Sequence, residues 1–280
     1  MSHHDETDAP RGHDTRMISG PPEGPVEIPE ALIPLLMGKP HECVWRNEVG
    51  GLTFRVADDS LTFYVKWSPV TSGIDLGAEV QRLSWASDFT PVPEVLDVGD
   101  DIEGSWIVTR GFNAANAVTP HWRQHPKAAT SAIGRGLRAL HDTLDVWSCP
   151  FEWSLQSRLA DVERRVSDGV LDNHEFSDHF VGLTIEAAMG ELRVMPEQDL
   201  VVCHGDACAP NTLLSEAGEW IAHVDFDRLG VGDRWADLAI ASWSTVWNYG
   251  LGWESNVYDA YGIEPDVDKI RYYRLLWELE

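Results

Sequence analysis

The chain has 280 residues, 43% of them hydrophobic and 24% charged, which suits a soluble globular protein of two lobes or domains. Its 46 Asp and Glu against 21 Lys and Arg leave a formal net charge of −25. Such a field repels nucleic acid and anionic membrane surfaces and favours cationic ligands, although charge alone speaks to solubility before it speaks to a site.

Residues 1–25 carry acids, Gly, Pro and three histidines but little that packs, and read as a disordered tail with His3, His4 and His13 solvated. The opening MSHHDETDAPRGHD lacks the apolar stretch of a secretory signal, so the cytoplasm is the expected setting. No apolar run approaches the roughly 18 uncharged residues of a membrane-spanning helix. Residues 26–108 are strand-rich. Asn47–Val56 holds Gly50 and Gly51 ahead of an apolar run, which predicts a hairpin turn and a strand. Leu61–Lys66 is β-branched and aromatic and reads as a strand. Leu76–Ser87 has Leu76, Val80, Leu83 and Trp85 at helical spacing, and Val92–Val98 and Ser105–Thr109 read as two more strands.

In residues 109–280 the pattern turns helical. Ala128–Leu144 has an apolar face of Ile133, Leu137, Leu140 and Leu144, and Phe151–Val166 and Phe180–Met195 behave similarly. A β-hairpin-like stretch, Leu200–Val224, precedes a helical region from Trp235 to Glu280. The class is α+β: a small β-rich lobe with one main helix, then a larger, mostly helical lobe.

The chemistry concentrates in the second lobe. Val201-Val-Cys-His-Gly-Asp-Ala-Cys-Ala-Pro-Asn211 is followed by Ile221-Ala-His-Val-Asp-Phe-Asp-Arg228. Phosphoryl transfer needs one Asp beside the acceptor hydroxyl, to orient it and take its proton, and an Asn and a second Asp to hold Mg²⁺ on the phosphates. Asp206, Asn211 and Asp225 supply those residue types with flanking apolar strands. Each also has an ordinary reading: His204 as a core histidine, Asp206 as a turn acid, Asn211 as a helix cap. The four cysteines Cys43, Cys149, Cys203 and Cys208 are scattered, and Cys203, His204 and Cys208 match no zinc spacing. In the first lobe, Lys66 ends a strand where a lysine can reach phosphates, and Glu79 on the next helix is placed to pair with it. Alone, these two read as a surface lysine and a solvated helix face. Gly50 and Gly51 offer backbone amides to a phosphate, or simply make a turn.

Several segments carry a resemblance: Glu79–Trp85 (EVQRLSW), Pro93–Asp97, Leu140-His141, Cys149-Pro-Phe151, HGDACAPN, Asp227–Arg234 (DRLGVGDR), Asp237-Leu-Ala, Tyr261-Gly-Ile and Tyr273–Leu276. Together, from around Val44 onward, the chain resembles the aminoglycoside 3′-phosphotransferase family of antibiotic-resistance kinases. The resemblance implies a two-lobed protein-kinase-like fold, ATP and Mg²⁺ as cofactors, and a small hydroxylated, cationic acceptor. It implies that Asp206 is the catalytic base, that Asn211 and Asp225 bind Mg²⁺, and that Lys66 contacts the α- and β-phosphates with Glu79 as its partner. Arg228 would help order the catalytic loop, and the stretch through Val108, Thr109 and Gly111 would be the hinge that holds adenine.

On the acceptor side the resemblance implies substrate contacts at Asp178, Glu278 and Glu280, while Trp243, Ser244 and Trp277 stand where the family places charge. Trp243, Trp247, Trp253 and Trp277 have a core-packing reading and, beside it, that of an aromatic wall for sugar faces or cations. Asp227 replaces the family's usual glycine and adds a carboxylate. Two rival readings follow: a kinase for another hydroxylated metabolite or antibiotic, and a nucleotide-binding pseudo-enzyme. The second would lack a catalytic residue, and none is missing.

Overall fold

The computed structural model describes residues 19–58 and 61–280. His3, His4, His13 and most of the expected tail lie outside the described residues. The chain forms two compact units, one from residues up to Ile74 together with Asp97–Val108, the other from Asp75–Leu96 together with Thr109–Glu280.

The first unit begins with a short helix α1 (Ile33–Leu36) and strands β1 (His41–Arg46), β2 (Leu52–Asp58) and β3 (Leu61–Pro69). After helix α2 (Leu76–Ala86) come β4 (Val95–Asp100) and β5 (Gly104–Arg110), in a sheet ordered β1-β2-β3-β5-β4. Antiparallel pairing sets Phe54 opposite Val65 and Val56 opposite Phe63. The two-residue side-chain period then puts Leu52, Phe54, Val56, Phe63 and Val65 on one face, where Leu32, Leu36 and Val108 cover them. Each such side chain stabilises the unit by about 1.5–3 kcal/mol through burial. Lys66 falls between the inward residues and stays half-buried. The strand expected at Val92 starts at Val95, because Pro93 has no N–H for the ladder.

Helix α2 had been expected within the 26–108 lobe, yet by its contacts it belongs to the second unit. Arg82 donates through Nε to the Leu229 carbonyl at 2.9 Å, and its guanidinium lies 5.0 Å from the Phe151 ring. Trp85 meets the same ring edge-on at 6.0 Å.

The second unit continues with β6 (Ala115–Asn116), α3 (Pro120–Arg123), α4 (Pro126–Thr143), α5 (Leu155–Ser167) and α6 (Ile185–Leu192). Then come β7 (Leu200–Cys203), β8 (Thr212–Leu214), β9 (Trp220–His223), β10 (Gly230–Asp233), α7 (Arg234–Tyr249), α8 (Glu254–Tyr261) and α9 (Val267–Leu279). The apolar face of α4 is fully buried at Ile133, Leu137 and Leu140. The stretch expected as one hairpin divides between two small sheets: β7 pairs with β10, while β8 and β9 form a hairpin extended by β6. The expected helix at Phe180–Met195 shortens to α6, whose start is fixed by Thr184 accepting from the Ala187 N–H. Among the described residues no helix is long and apolar enough to cross a membrane.

Candidate active site

Strand β7 carries the chain out of the core into His204, which is fully buried. His204 Nδ1 accepts the Asp206 N–H at 3.2 Å, and Nε2 faces the Val224 carbonyl at 3.0 Å. One nitrogen accepts and the other donates, so the ring is the neutral Nε2–H tautomer. It stacks on Phe226 at 4.8 Å. The core-histidine reading therefore holds, and the ring also ties the 204–206 loop to the 224–226 segment. Gly205 has φ +89°, and a Cβ there would lie 2.4 Å from the Arg228 carbonyl oxygen, so the turn into Asp206 requires glycine.

The loop is held from below by Asp237 on α7. Its Oδ2 accepts the His204 N–H at 2.6 Å and its Oδ1 the Gly205 N–H at 3.0 Å. His141 on α4 contacts Asp237 Oδ2 through Nε2 at 2.9 Å, and its Nδ1 meets the Tyr261 hydroxyl at 2.8 Å. Arg234 donates to that hydroxyl at 2.9 Å. Burial works against the Asp237 charge, but the His141 hydrogen bond and the neighbouring His141 and His204 outweigh it and hold the carboxyl below its usual range. His141, Cys203 and Asp237 bring ligand atoms within 4.8 Å of one another. These groups are engaged by protein partners, with the Cys203 thiol turned to the Asp233 carbonyl at 3.3 Å, so the cluster reads as a structural brace and not as a metal centre.

At the loop itself Asn211 Nδ2 donates to Asp206 Oδ2 at 3.1 Å and to the Asp206 carbonyl at 3.0 Å. Asp206 Oδ1 is buried and makes no hydrogen bond of good geometry, while the Cys208 thiol lies beside the carboxylate and is itself pushed up, first by burial and then by the Asp206 charge. Asn211 also accepts the Val224 N–H through its backbone carbonyl at 3.0 Å, which brings the second acid, Asp225, beside the loop. Asp225 has φ +69°, an unusual backbone state for a residue other than glycine and one that accumulates at functional sites. Around Arg228 desolvation opposes the charge, but Asp227, Glu280, Asp206 and Asp225 outweigh it and raise the guanidinium above its ordinary value. The set Asn211 and Asp225 offers hard oxygen donors beside the Asp206 carboxylate, a donor set that fits a Mg²⁺-dependent chemistry.

The sequence profile of the phosphotransferase enzyme family matches residues 47–273. The chain belongs to this family. An aminoglycoside 3′-phosphotransferase from Streptomyces fradiae is 35% identical over 222 residues, covering 75% of this chain and 82% of the relative. Among solved structures, an aminoglycoside 3′-phosphotransferase of type VIII superposes with a TM-score of 0.78 at 28% identity, covering 89% of this chain and 97% of the other. An aminoglycoside phosphotransferase from Streptomyces rimosus, solved with ADP and streptomycin, gives a TM-score of 0.62 at 27% identity over 83% and 93% of the two chains. The fold is the protein-kinase-like fold of these phosphotransferases.

Within this phosphotransferase, the remaining expected site residues divide. On the first unit, the Gly50 and Gly51 N–H groups both bond to Asn47, at 3.3 Å to its carbonyl and 2.6 Å to its Oδ1. These glycines build the β1–β2 turn, and their amides are already engaged. Lys66 is half-buried on β3 and Val108 is buried on β5, with Thr109 next on the strand and Gly111 just beyond it. Glu79 sits in the first turn of α2 at 3% exposure, a position where a carboxylate requires a partner.

On the acceptor side the expected residues have the following surroundings. Trp243 is buried at 4% exposure, as core packing anticipates. Trp277 is half-buried, with the Arg228 guanidinium 5.7 Å from its ring. Glu278 Oε1 accepts the Ser177 N–H at 2.6 Å, and Oε2 accepts the Ser177 hydroxyl at 2.8 Å. Glu280 forms a two-point pair with Arg158, at 2.6 and 3.0 Å. These two acids hold the fold, whereas Asp178 is exposed at the start of a single 3₁₀ turn.

Sequence reasoning gave no role to His141, Asp237, Ser177 or Arg158. Leu140-His141 and Asp237-Leu-Ala were visible as motifs, but their meeting 96 positions apart in sequence is a tertiary fact.

Proposed function

We propose that this protein transfers the γ-phosphoryl group of ATP to a hydroxyl of an aminoglycoside-type acceptor, with Mg²⁺, in the cytoplasm. The observation that carries the reading is the Asp206 carboxylate at the end of the HGD turn, one oxygen fixed by Asn211, whose backbone carbonyl receives the Val224 N–H and so brings the second acid, Asp225, beside it. The acceptor hydroxyl is oriented by Asp206. Its oxygen attacks the γ-phosphorus, its proton passes to Asp206 Oδ1, and the bond to the ADP oxygen breaks. A Mg²⁺ ion would supply charge neutralisation at the phosphates. Asn211 and Asp225 are the residues to hold it. Lys66 contacts the α- and β-phosphates with Glu79 as its partner, and Val108, Thr109 and Gly111 carry the adenine. Arg228, surrounded by four carboxylates, orders the catalytic loop. Family membership and the relatives named above support the donor and the acceptor class. The test is acceptor-dependent ATP turnover by the purified protein. Asp206→Ala is expected to abolish that turnover while ATP still binds, and a variant with undiminished phosphotransfer would sink the assignment.

A further inference from the structure

The acceptor side carries less free negative charge than a chain of net charge −25 suggests. The Glu278 carboxylate is closed on Ser177 and lies 3.8 Å from His174. Glu280 is paired with Arg158, whose guanidinium stacks 3.9 Å from the Trp153 ring. Asp178 is exposed, where screening leaves an ion pair little strength. An ammonium leaving water needs a carboxylate placed to receive it, and the acids closest to that task are already committed. The acidic field steers cations toward the molecule, but steering sets encounter rate more than the packed contact.

The indoles show the same pattern. Arg274 lies 5.6 Å from the buried Trp243 ring, and Arg228 lies 5.7 Å from Trp277. Each ring already has a cation from the protein. Trp247 differs: it is 50% exposed and packs against Trp243 at 5.0 Å. It is rigidly mounted one turn along α7 from Ser244, whose hydroxyl accepts the Ala209 N–H of the catalytic loop at 2.9 Å. Asn248 then donates to the Ser244 carbonyl at 2.8 Å, and Tyr249 to the Ala117 carbonyl at 2.7 Å. A half-exposed indole, packed on Trp243 and carried by the helix that also holds the catalytic loop through Ser244, is suited to stacking on the apolar face of a sugar or alicyclic ring.

We infer that Trp247 is a specificity-determining residue, and that the acceptor is a hydroxylated ring system with few ammonium groups that lays an apolar ring face on it. The inference rests on the kinase reading above and narrows it. The test uses the full chain with ATP and three aminoglycosides graded in cationic groups, amines and guanidinium groups counted together: neomycin, kanamycin and streptomycin. Catalytic efficiency is expected to rise as the number of cationic groups falls. Trp247→Ala should raise KM for the best acceptor at least tenfold with the KM for ATP unchanged, and Trp247→Phe should restore most of it. The ATP value reports that the variant folds. If the most cationic acceptor is the best, or if Trp247→Ala leaves every acceptor KM unchanged, the inference is overturned while the kinase reading stands. If wild-type protein phosphorylates none of the three, both fall.

Discussion

The catalytic loop and the acceptor-side segment around α9 are both rich in acids, yet they use them in opposite ways. At the loop, one carboxylate, Asp237, holds two backbone amides and His141, and this sets the turn that presents Asp206 with Asn211 on one of its oxygens. Near the end of α9 the acids that looked available, Glu278 and Glu280, are themselves the braces. A carboxylate's role follows from what already occupies it, and residue type alone does not reveal that.

The comparison breaks most sharply at Asp237. Asp237→Asn weakens three hydrogen bonds to a charged acceptor, from the His204 and Gly205 amides and at His141, so stability is expected to fall by about 3–5 kcal/mol, read by urea unfolding. Because the folded carboxyl lies below its usual value, its contribution is complete above about pH 4 and is lost as pH falls through the lowered folded value. The variant should therefore show a flatter loss of stability in acid than the wild type. Glu280→Gln keeps the shape but leaves the buried Arg158 charge unanswered, an expected cost of about 2–3 kcal/mol, visible in the same unfolding experiment with ATP binding unchanged. Glu278→Ala frees the Ser177 N–H and hydroxyl and is expected to cost about 1–2 kcal/mol locally. Faster hydrogen exchange in residues 174–180 and a higher acceptor KM would register it. The smallest effect belongs to the exposed acid: Asp178→Asn should change acceptor kcat/KM by no more than about fivefold. A larger loss there would mean that the acceptor pocket is built on charge after all.

Much of the catalytic loop was legible because its chemistry is local. Asp206 and Asn211 lie five positions apart and meet through one side chain, and Gly205 precedes the acid where the turn demands it. Strands β2 and β3 were also legible one by one, from the Gly50-Gly51 turn signal and the β-branched, aromatic run Leu61–Lys66, while their mutual register came from the structure. The rest depended on contacts across the chain. Arg82 reaches a carbonyl 147 positions away and takes α2 with it. Likewise β7 finds β10 and not the nearer β8. Glu278 and Glu280 could be recognised as acids near an acceptor segment, but their partners Ser177 and Arg158 lie 101 and 122 positions upstream. Trp243 and Trp247, four residues apart on one helix, have opposite exposures, set by the packing of Phe180 and Arg274 against the first.

The most direct measurement is phosphoryl transfer from ATP to an aminoglycoside acceptor by wild type and Asp206→Asn side by side, with ATP affinity measured on both. Acceptor-dependent turnover in the wild type, a fall of about 10²–10⁴-fold in kcat for the variant and unchanged ATP affinity are the predicted results. Equal turnover by the two proteins would contradict the role given to the Asp206 carboxylate.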